Sequence, residues 1–200
     1  LRLAGRWALE QCRSFSGSYN FYGAFPQSAP LLTGANGYAH ALCAMKKTNA
    51  MRILDAAAAP YTVLSYEIDA EHLDALSAAQ KLGIDPYRTF KTIAMISAGN
   101  EVFIFCVPAC FEVSLKKIKQ ITGQKILPLK LSELQKTTGY IRGGCSPIAM
   151  KKPFPVFVDE TALLHETIYI NAGERGVLLC MKAEDLPKVC HAEFCDIAEP

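Results

Sequence analysis

The chain has 200 residues, of which half are apolar and a fifth are charged, and its formal net charge is +2. That length suits one domain of moderate size, and the apolar fraction is too high for a disordered chain. The longest unbroken apolar run, 102–107, is far shorter than the roughly 18 residues that a membrane helix needs. Eight cysteines without a secretory signal indicate reduced thiols and a cytoplasmic location.

The first 44 residues differ in composition from the rest of the chain. No Asp, Glu, Lys or Arg occurs between Ser14 and Met45, and several Gly and Pro residues interrupt any periodic pattern. Met45, followed by two lysines, is typical of a natural start. We therefore expect an upstream extension over 1–44, loosely ordered and without function of its own, and a folded domain over 45–200. A transit peptide is the alternative for the extension.

Helix and strand signals alternate along this domain. The first half of the domain begins with a predicted helix capped by Asn49 and ended by Pro60, which is followed by a strand over 61–68. A second helix, capped by Asp69 and ended by Gly83, precedes a predicted hairpin of strands 90–97 and 101–107 joined by Gly99-Asn100. The second half has a predicted helix between Ser114 and Gly123, a strand over 125–129 and a helical turn over 132–137. Three further strands are predicted over 155–158, 167–171 and 177–181, and the last two are expected to pair across 172–176. The pattern predicts a mixed α/β domain built around a strongly curved, barrel-like sheet with flanking helices.

Positive charge is concentrated in one segment. Residues 116–152 carry nine basic side chains and one acidic side chain, Glu133. Such a patch attracts polyanions although the net charge of the chain is small. A solvated face balanced by neighbouring carboxylates is the alternative interpretation.

The sequence lacks the motifs of two common kinds of site, a phosphate-binding loop and a zinc site. Gly139 and Gly144 have the spacing of a phosphate loop, but Cys145-Ser146 follows where Lys-Ser/Thr is required. Cys190, His191 and Cys195 are close in sequence without a clear fourth ligand for zinc. The sequence therefore predicts neither a metal site nor a cofactor.

Two features favour a binding site. Lys91 shares strand parity with the apolar Ile93 and Met95, so its ammonium either extends to the rim of the sheet or meets an anion. The segment 139–147 contains paired glycines, which let the backbone approach a ligand closely and offer it N–H groups. A rim lysine and a plain turn are the corresponding structural alternatives.

Taken together, these motifs resemble the YbaK/EbsC family of free-standing aminoacyl-tRNA deacylases, which are related to the editing domain of bacterial prolyl-tRNA synthetase. The resemblance covers about 45–198, and its motifs occur in the order of the family. The motifs that carry it are Phe90-Lys91-Thr92, Thr138-Gly139-Tyr140-Ile141-Arg142-Gly143-Gly144-Cys145-Ser146-Pro147-Ile148, Lys151-Lys152 and Ile168-Tyr169-Ile170-Asn171-Ala172-Gly173-Glu174-Arg175-Gly176.

The resemblance implies hydrolysis in trans of the ester of a mischarged tRNA, with Cys-tRNA(Pro) as the leading substrate and the thiol of the substrate as the attacking group. The implied catalytic residues are Lys91, which would hold the terminal adenosine or its phosphate, and Gly143 and Gly144, which would supply backbone donors. The implied substrate-binding residues are Tyr66, Thr92, Ser146, Pro147, Asn171, Gly173 and Arg175. Leu178 and Asn171 depart from residues seen in some relatives, and this affects the expected substrate more than the expected reaction.

The expected partners are aminoacyl-tRNA and prolyl-tRNA synthetase, with neither a membrane nor DNA involved. From charge alone, five lysines are expected to guide the tRNA backbone, namely Lys116, Lys117, Lys119, Lys151 and Lys152. Three alternatives stay open: a deacylase for Ala-tRNA(Pro) or another small misacylated tRNA, a non-catalytic module that binds tRNA or the synthetase, and a hydrolase that uses Cys145.

Overall fold

The computed structural model describes residues 46–200, so the expectations for the segment 1–44 lie outside the described residues. The α-helices are α1 (Asn49–Ala56), α2 (Ala75–Leu82), α3 (Leu115–Thr122), α4 (Leu131–Thr138) and α5 (Leu186–Cys190). Short 3-10 helices cover Glu160–Leu164 and Ala183–Asp185. Within this part of the chain, no helix has the length and apolar character needed to cross a bilayer.

Ten strands accompany the helices in the described part of the chain. They are β1 (Tyr61–Ser65), β2 (Phe90–Ser97), β3 (Val102–Pro108), β4 (Glu112–Val113), β5 (Ile126–Pro128), β6 (Val156–Asp159), β7 (Ile168–Asn171), β8 (Val177–Met181), β9 (Ala192–Cys195) and β10 (Ala198–Glu199). The predicted β2–β3 hairpin and the predicted β7–β8 pairing are confirmed. The strands β4, β9 and β10 were not predicted from the sequence; β4 and β10 have two residues each, too few to show a periodic pattern.

The helix starts differ from the sequence expectation at two places. Thr48 rather than Asn49 caps α1, since its side chain accepts the N–H of Met51 at 3.3 Å. Asp74 rather than Asp69 caps α2, since it accepts the N–H of Ser77 at 2.8 Å. In both cases the residue immediately before the first helical turn has the extended backbone that a cap requires.

The strands form three sheets, and the predicted barrel-like closure is wrong. The five-stranded sheet has the order β5–β2–β3–β6–β9, the three-stranded sheet has the order β1–β8–β7, and β4 pairs with β10. The larger sheet is mixed, as predicted, because β2–β3 is antiparallel whereas β3–β6 is parallel. A single isolated bridge between Thr89 and Tyr169 joins the two larger sheets in the described residues. No ladder continues from it, so no sheet there curls into a barrel.

One apolar core covers a face of the five-stranded sheet. The rings of Phe103, Phe105 and Phe157 stack with centroids 5.5–6.5 Å apart, and Ile118 of α3 packs on the same cluster. At the edge of this core, the buried carboxylate of Asp159 accepts the backbone N–H groups of Ile197 and Ala198 at 3.1 and 2.8 Å. These bonds fasten the C-terminal segment to the end of β6.

Candidate functional site

The paired glycines form a tight turn. The N–H of Gly144 donates to the carbonyl of Ile141 at 3.0 Å, and Gly143, the third residue of the turn, has φ of +81°. That conformation is typical of a type II turn, which favours glycine at this position. A Cβ on Gly143 would lie 3.1 Å from the Cβ of Leu73, and one on Gly144 would lie 3.2 Å from the backbone N of Arg175. The sequence therefore needs glycine at both positions for shape.

Asn171, the last residue of β7, fastens this glycine turn (residues 141–144) to the three-stranded sheet. Its side-chain amide donates to the carbonyl of Gly143 at 3.0 Å, and its side-chain oxygen accepts the N–H of Gly173 at 2.7 Å. Arg175 adds a second link, since its Nε donates to the carbonyl of Arg142 at 2.8 Å. The structure thus brings together the predicted residues Gly143, Gly144, Asn171, Gly173 and Arg175.

Tyr140 packs against the same region, although the sequence analysis assigned it no role. Its hydroxyl donates to the carbonyl of Ile148 at 2.7 Å. Its ring packs against Gly173 so closely that a Cβ added to Gly173 would lie 2.9 Å from a ring carbon. Burial raises the pKa of Tyr140 to about 12, so the hydroxyl stays protonated at neutral pH. This side chain holds the segment after the glycine turn in place.

The glycine turn has free backbone donors, and they differ in part from those expected. The N–H of Gly144 is occupied by Ile141, whereas the N–H groups of Gly143, Cys145 and Ser146 have no acceptor within residues 46–200. Unpaired N–H groups at buried positions such as Cys145 and Ser146 are uncommon in proteins and can bind an oxygen of a ligand.

Lys91 lies on the strand that meets β7 at the isolated bridge. Bridged residues point to the same side of a sheet and side chains alternate along a strand. Lys91 lies opposite Val107 in the β2–β3 register and shares a face of β2 with Ile93 and Met95, whereas Cys106, which is close to Cys145, lies opposite Thr92. Within residues 46–200, Lys91 makes no hydrogen bond or ion pair with the glycine turn. The ammonium of Lys91 is 2.7 Å from the carboxylate of Glu112 on β4, and the two side chains are 22% and 74% exposed. Such an open ion pair is worth about 0–1 kcal/mol, so an anionic ligand can displace the carboxylate.

Thr92, Ser146 and Pro147 lie in packed surroundings. Thr92 is one residue beyond Lys91 and faces the other side of β2, where its hydroxyl is 3.7 Å from the thiol of the buried Cys106. The hydroxyl of Ser146 accepts the N–H of Ile148 at 3.3 Å, and both Ser146 and Pro147 are buried. Ser146 and Pro147 thus form the packed segment directly after the glycine turn, whereas Thr92 packs against Cys106.

The cysteines nearest this region are protonated thiols. Burial raises the pKa of Cys145 to about 12, and it raises the pKa of Cys106 still further. The thiolate, which is the nucleophilic form, is therefore scarce at neutral pH. This argues against the hydrolase that would use Cys145.

Tyr66 follows β1 and borders a cavity of about 630 Å³. Its N–H donates to the carbonyl of Gly176 at 2.8 Å, and partial burial raises the pKa of its hydroxyl. The cavity lies between the end of β1 and α2, and of the predicted site residues only Tyr66 belongs to its lining, which comprises Ser65, Tyr66, Glu67, Ile68, Asp69, Ala70, Lys81 and Leu82.

The five predicted tRNA-contacting lysines are not equivalent. Lys117 is bound by Asp196 and by the carbonyl of Ala198, both at 2.6 Å. Lys116 and Lys119 are exposed on α3. Lys151 and Lys152 are also exposed, and they lie a few residues after the glycine turn in sequence. The backbone N–H of Lys151 donates to the carbonyl of Thr138, at the end of α4.

Comparison with known proteins defines the class of protein. Residues 70–189 match the family described as "Aminoacyl-tRNA editing domain". Because the match spans more than half of the chain, the protein belongs to this family, and the resemblance found in the sequence is confirmed. Its function is aminoacyl-tRNA editing, which serves the fidelity of translation.

Individual relatives narrow the comparison. Over 153 residues the chain is 37% identical to the Enterococcus faecalis protein named "Putative Cys-tRNA(Pro)/Cys-tRNA(Cys) deacylase EbsC", covering 76% of this chain and 93% of that protein. The fold is similar to a crystal structure of "a putative trans-editing enzyme for prolyl tRNA synthetase" (TM-score 0.65) and to one of "hypothetical protein APE2540" (TM-score 0.70), each 20% identical. These alignments cover 76% of this chain and 96% and 100% of the two structures. At this identity they establish the fold alone.

Proposed function

We propose that the protein hydrolyses the aminoacyl ester of mischarged tRNA in trans, with Cys-tRNA(Pro) as the leading substrate. The observation that carries the proposal is the glycine turn, which Asn171 holds against β7 and whose N–H groups at Gly143 and Cys145 are unpaired within residues 46–200. The name of the Enterococcus faecalis relative supports the choice of cysteine.

Stabilisation of the ester carbonyl is the main task of the proposed site. An aminoacyl ester is already activated, so hydrolysis depends on placing it and on stabilising the negative charge that develops on its carbonyl oxygen. The candidates for that role are the N–H groups of Gly143 and Cys145, because the N–H of Gly144 is occupied. One such donor contributes about 2.7–4 kcal/mol to the transition state in comparable enzymes.

Lys91 has the proposed role of an anchor for the RNA end. Its ammonium would exchange the carboxylate of Glu112 for the terminal adenosine or its phosphate and so orient the ester. Lysine suits this task because its charge is compact and its stem is flexible.

In this proposal, Leu178 forms an apolar wall of the site beside Asn171. Leu178 is buried and lies opposite Asn171 in the β7–β8 register. An apolar wall discriminates weakly between two substrates whose side chains differ by one methylene, because that methylene changes the binding free energy by only about 1–3 kcal/mol. Ala-tRNA(Pro) is therefore the second candidate substrate.

The wider setting is part of the same proposal. Lys151 and Lys152 would guide the tRNA backbone toward the glycine turn, with Lys116 and Lys119 as additional contacts, whereas Lys117 is engaged by Asp196. We propose prolyl-tRNA synthetase as a protein partner and the cytoplasm as the place of action.

A panel of aminoacylated tRNAs tests the proposal. The full chain should release cysteine from Cys-tRNA(Pro) faster than it releases alanine from Ala-tRNA(Pro) or proline from Pro-tRNA(Pro). Faster release of alanine would transfer the assignment to the second substrate. Binding of tRNA without hydrolysis of any ester would refute the proposal and establish a non-catalytic module.

A further inference from the structure

Arg88 is a cation that the proposed chemistry does not use. It precedes β2, and its Nε donates to the carbonyl of Thr167 at 3.0 Å while a terminal nitrogen donates to the hydroxyl of the same residue. Its guanidinium carbon lies 5.4 Å from the centroid of the Tyr169 ring. Two hydrogen bonds and one ring contact therefore fix the orientation of the guanidinium.

The charge of Arg88 has no carboxylate partner. Among residues 46–200, none of the ion pairs within 4 Å involves Arg88. Asp85 is in the same neighbourhood, but one of its carboxylate oxygens accepts the N–H of Tyr87 at 2.9 Å. His165 is there as well, and burial lowers its pKa, which favours the neutral ring at pH 7. A guanidinium has five N–H donors, so three remain for a ligand after the two given to Thr167.

Arg88 is close to the proposed ester site. Tyr169 and Asn171 are two residues apart on β7, so their side chains share a face and are about 7 Å apart along the strand. Asn171 holds the glycine turn, and Arg88 stacks on Tyr169. Arg88 and the glycine turn therefore contact neighbouring side chains on one face of β7.

We propose that Arg88 binds the 5′-phosphate of the terminal nucleotide of the RNA while the glycine turn holds the ester at its 3′ end. The inference rests on the proposed function, and it adds a phosphate site that is separate from Lys91. Arginine suits the site because its planar fork of N–H groups matches two phosphate oxygens at once. The stack on Tyr169 and the bonds to Thr167 orient that fork before the ligand arrives.

A purely structural role is the competing explanation. The same contacts of Arg88 join the loop before β2 to the start of β7, where the N–H of Tyr169 also donates to the carbonyl of Arg88 at 2.8 Å. A structural role predicts that loss of Arg88 lowers stability and weakens every ligand equally. A phosphate site predicts a loss confined to ligands that carry the phosphate.

Titration of the full chain with AMP and with adenosine separates these explanations. Wild type should bind AMP about tenfold or more tightly than adenosine, because hydrogen bonds to a charged group are worth about 1.5–3 kcal/mol. Arg88→Gln should reduce this ratio at least several-fold and leave the affinity for adenosine unchanged. Arg88→Lys should keep part of the preference, and Lys125→Gln, which removes an exposed lysine before β5, should keep all of it.

Several outcomes would overturn the inference. They are equal affinity of wild type for AMP and adenosine, no detectable AMP binding at millimolar concentration, and an unchanged ratio in Arg88→Gln. The readout is independent of hydrolysis, so the two proposals fail separately. A preference for AMP that depends on Arg88, with no ester hydrolysed in the tRNA panel, would refute the proposed function and leave a nucleotide phosphate site.

Discussion

The side-chain amide of Asn171 holds the carbonyl of Gly143 at 3.0 Å, which makes the end of β7 the support of the glycine turn. Asn171→Ala removes this bond and the one to Gly173, and each is worth about 0.5–1.5 kcal/mol. We expect a loss of about 1–2 kcal/mol in the free energy of unfolding and a larger relative loss of deacylation, because the turn loses its orientation.

Asn171→Asp provides the matched variant. The aspartate keeps the acceptor for the N–H of Gly173 but places a carboxylate against the carbonyl of Gly143. It should therefore impair hydrolysis at least as much as Asn171→Ala. Wild-type single-turnover rates in both variants would show that the clamp is irrelevant to the reaction.

Gly143 and Gly123 form a natural pair for testing the turn. Both have positive φ, +81° and +70°, but a Cβ on Gly123 meets nothing within 4 Å, whereas one on Gly143 meets Leu73. Gly123→Ala and Gly143→Ala should each cost about 1–2 kcal/mol of stability through backbone strain. Only Gly143→Ala should reduce deacylation as well. Equal activity of the two variants in a rate assay would contradict the assignment of the glycine turn to the site.

The thiol of Cys145 should matter for stability at high pH and not for the reaction. Its pKa is raised by burial to about 12, so the folded state retains a proton that the unfolded state releases near pH 9. The stabilisation is complete below pH 9 and is lost as the pH rises toward 12. Cys145→Ala should therefore flatten the decline of unfolding free energy between pH 9 and 11 and leave deacylation at pH 7.5 near the wild-type rate. Loss of activity in this variant would restore the cysteine hydrolase.

Asp159 supplies a stability test away from the site. Its buried carboxylate accepts two backbone N–H groups of the C-terminal segment, from Ile197 and Ala198. Asp159→Asn replaces one acceptor oxygen by an NH2 group, and a buried donor left facing another donor costs about 1–3 kcal/mol. Chemical denaturation should show this loss. A free energy of unfolding equal to that of wild type would contradict the described role.

Local signals in the sequence predicted local structure well. Gly99-Asn100 marked the β2–β3 hairpin, in which Asn100 has φ of +63°, and Gly123 marked the end of α3 in the left-handed region. The site residues that contact one another directly, including Asn171 and Arg175, were named because they fall in one family motif. Their hydrogen bonds to the glycine turn span 28 and 33 residues of sequence, and no local pattern encodes such contacts.

Features that depend on long-range geometry could not be predicted. Closure into a barrel would require the hydrogen-bonded ladder to continue beyond the Thr89–Tyr169 bridge. The alternation of apolar and polar residues within a strand does not specify which strand it pairs with or for how many residues. Leu73 is an ordinary apolar residue in sequence, and only the fold brings it against Gly143. The pairing of Lys91 with Glu112 depends on the short strand β4, which lacks any period.

Replacement of Lys91 tests the central claim most directly. The measurement is the single-turnover rate of ester hydrolysis on the aminoacyl-tRNA that the wild-type chain cleaves fastest, with Lys125→Ala, at an exposed lysine before β5, as the control for loss of a lysine. We expect Lys91→Ala to lower this rate about 100-fold or more, as for removal of a residue that stabilises or orients the transition state, and Lys125→Ala to leave it unchanged. A Lys91→Ala protein that is folded and hydrolyses the ester at the wild-type rate would contradict the account.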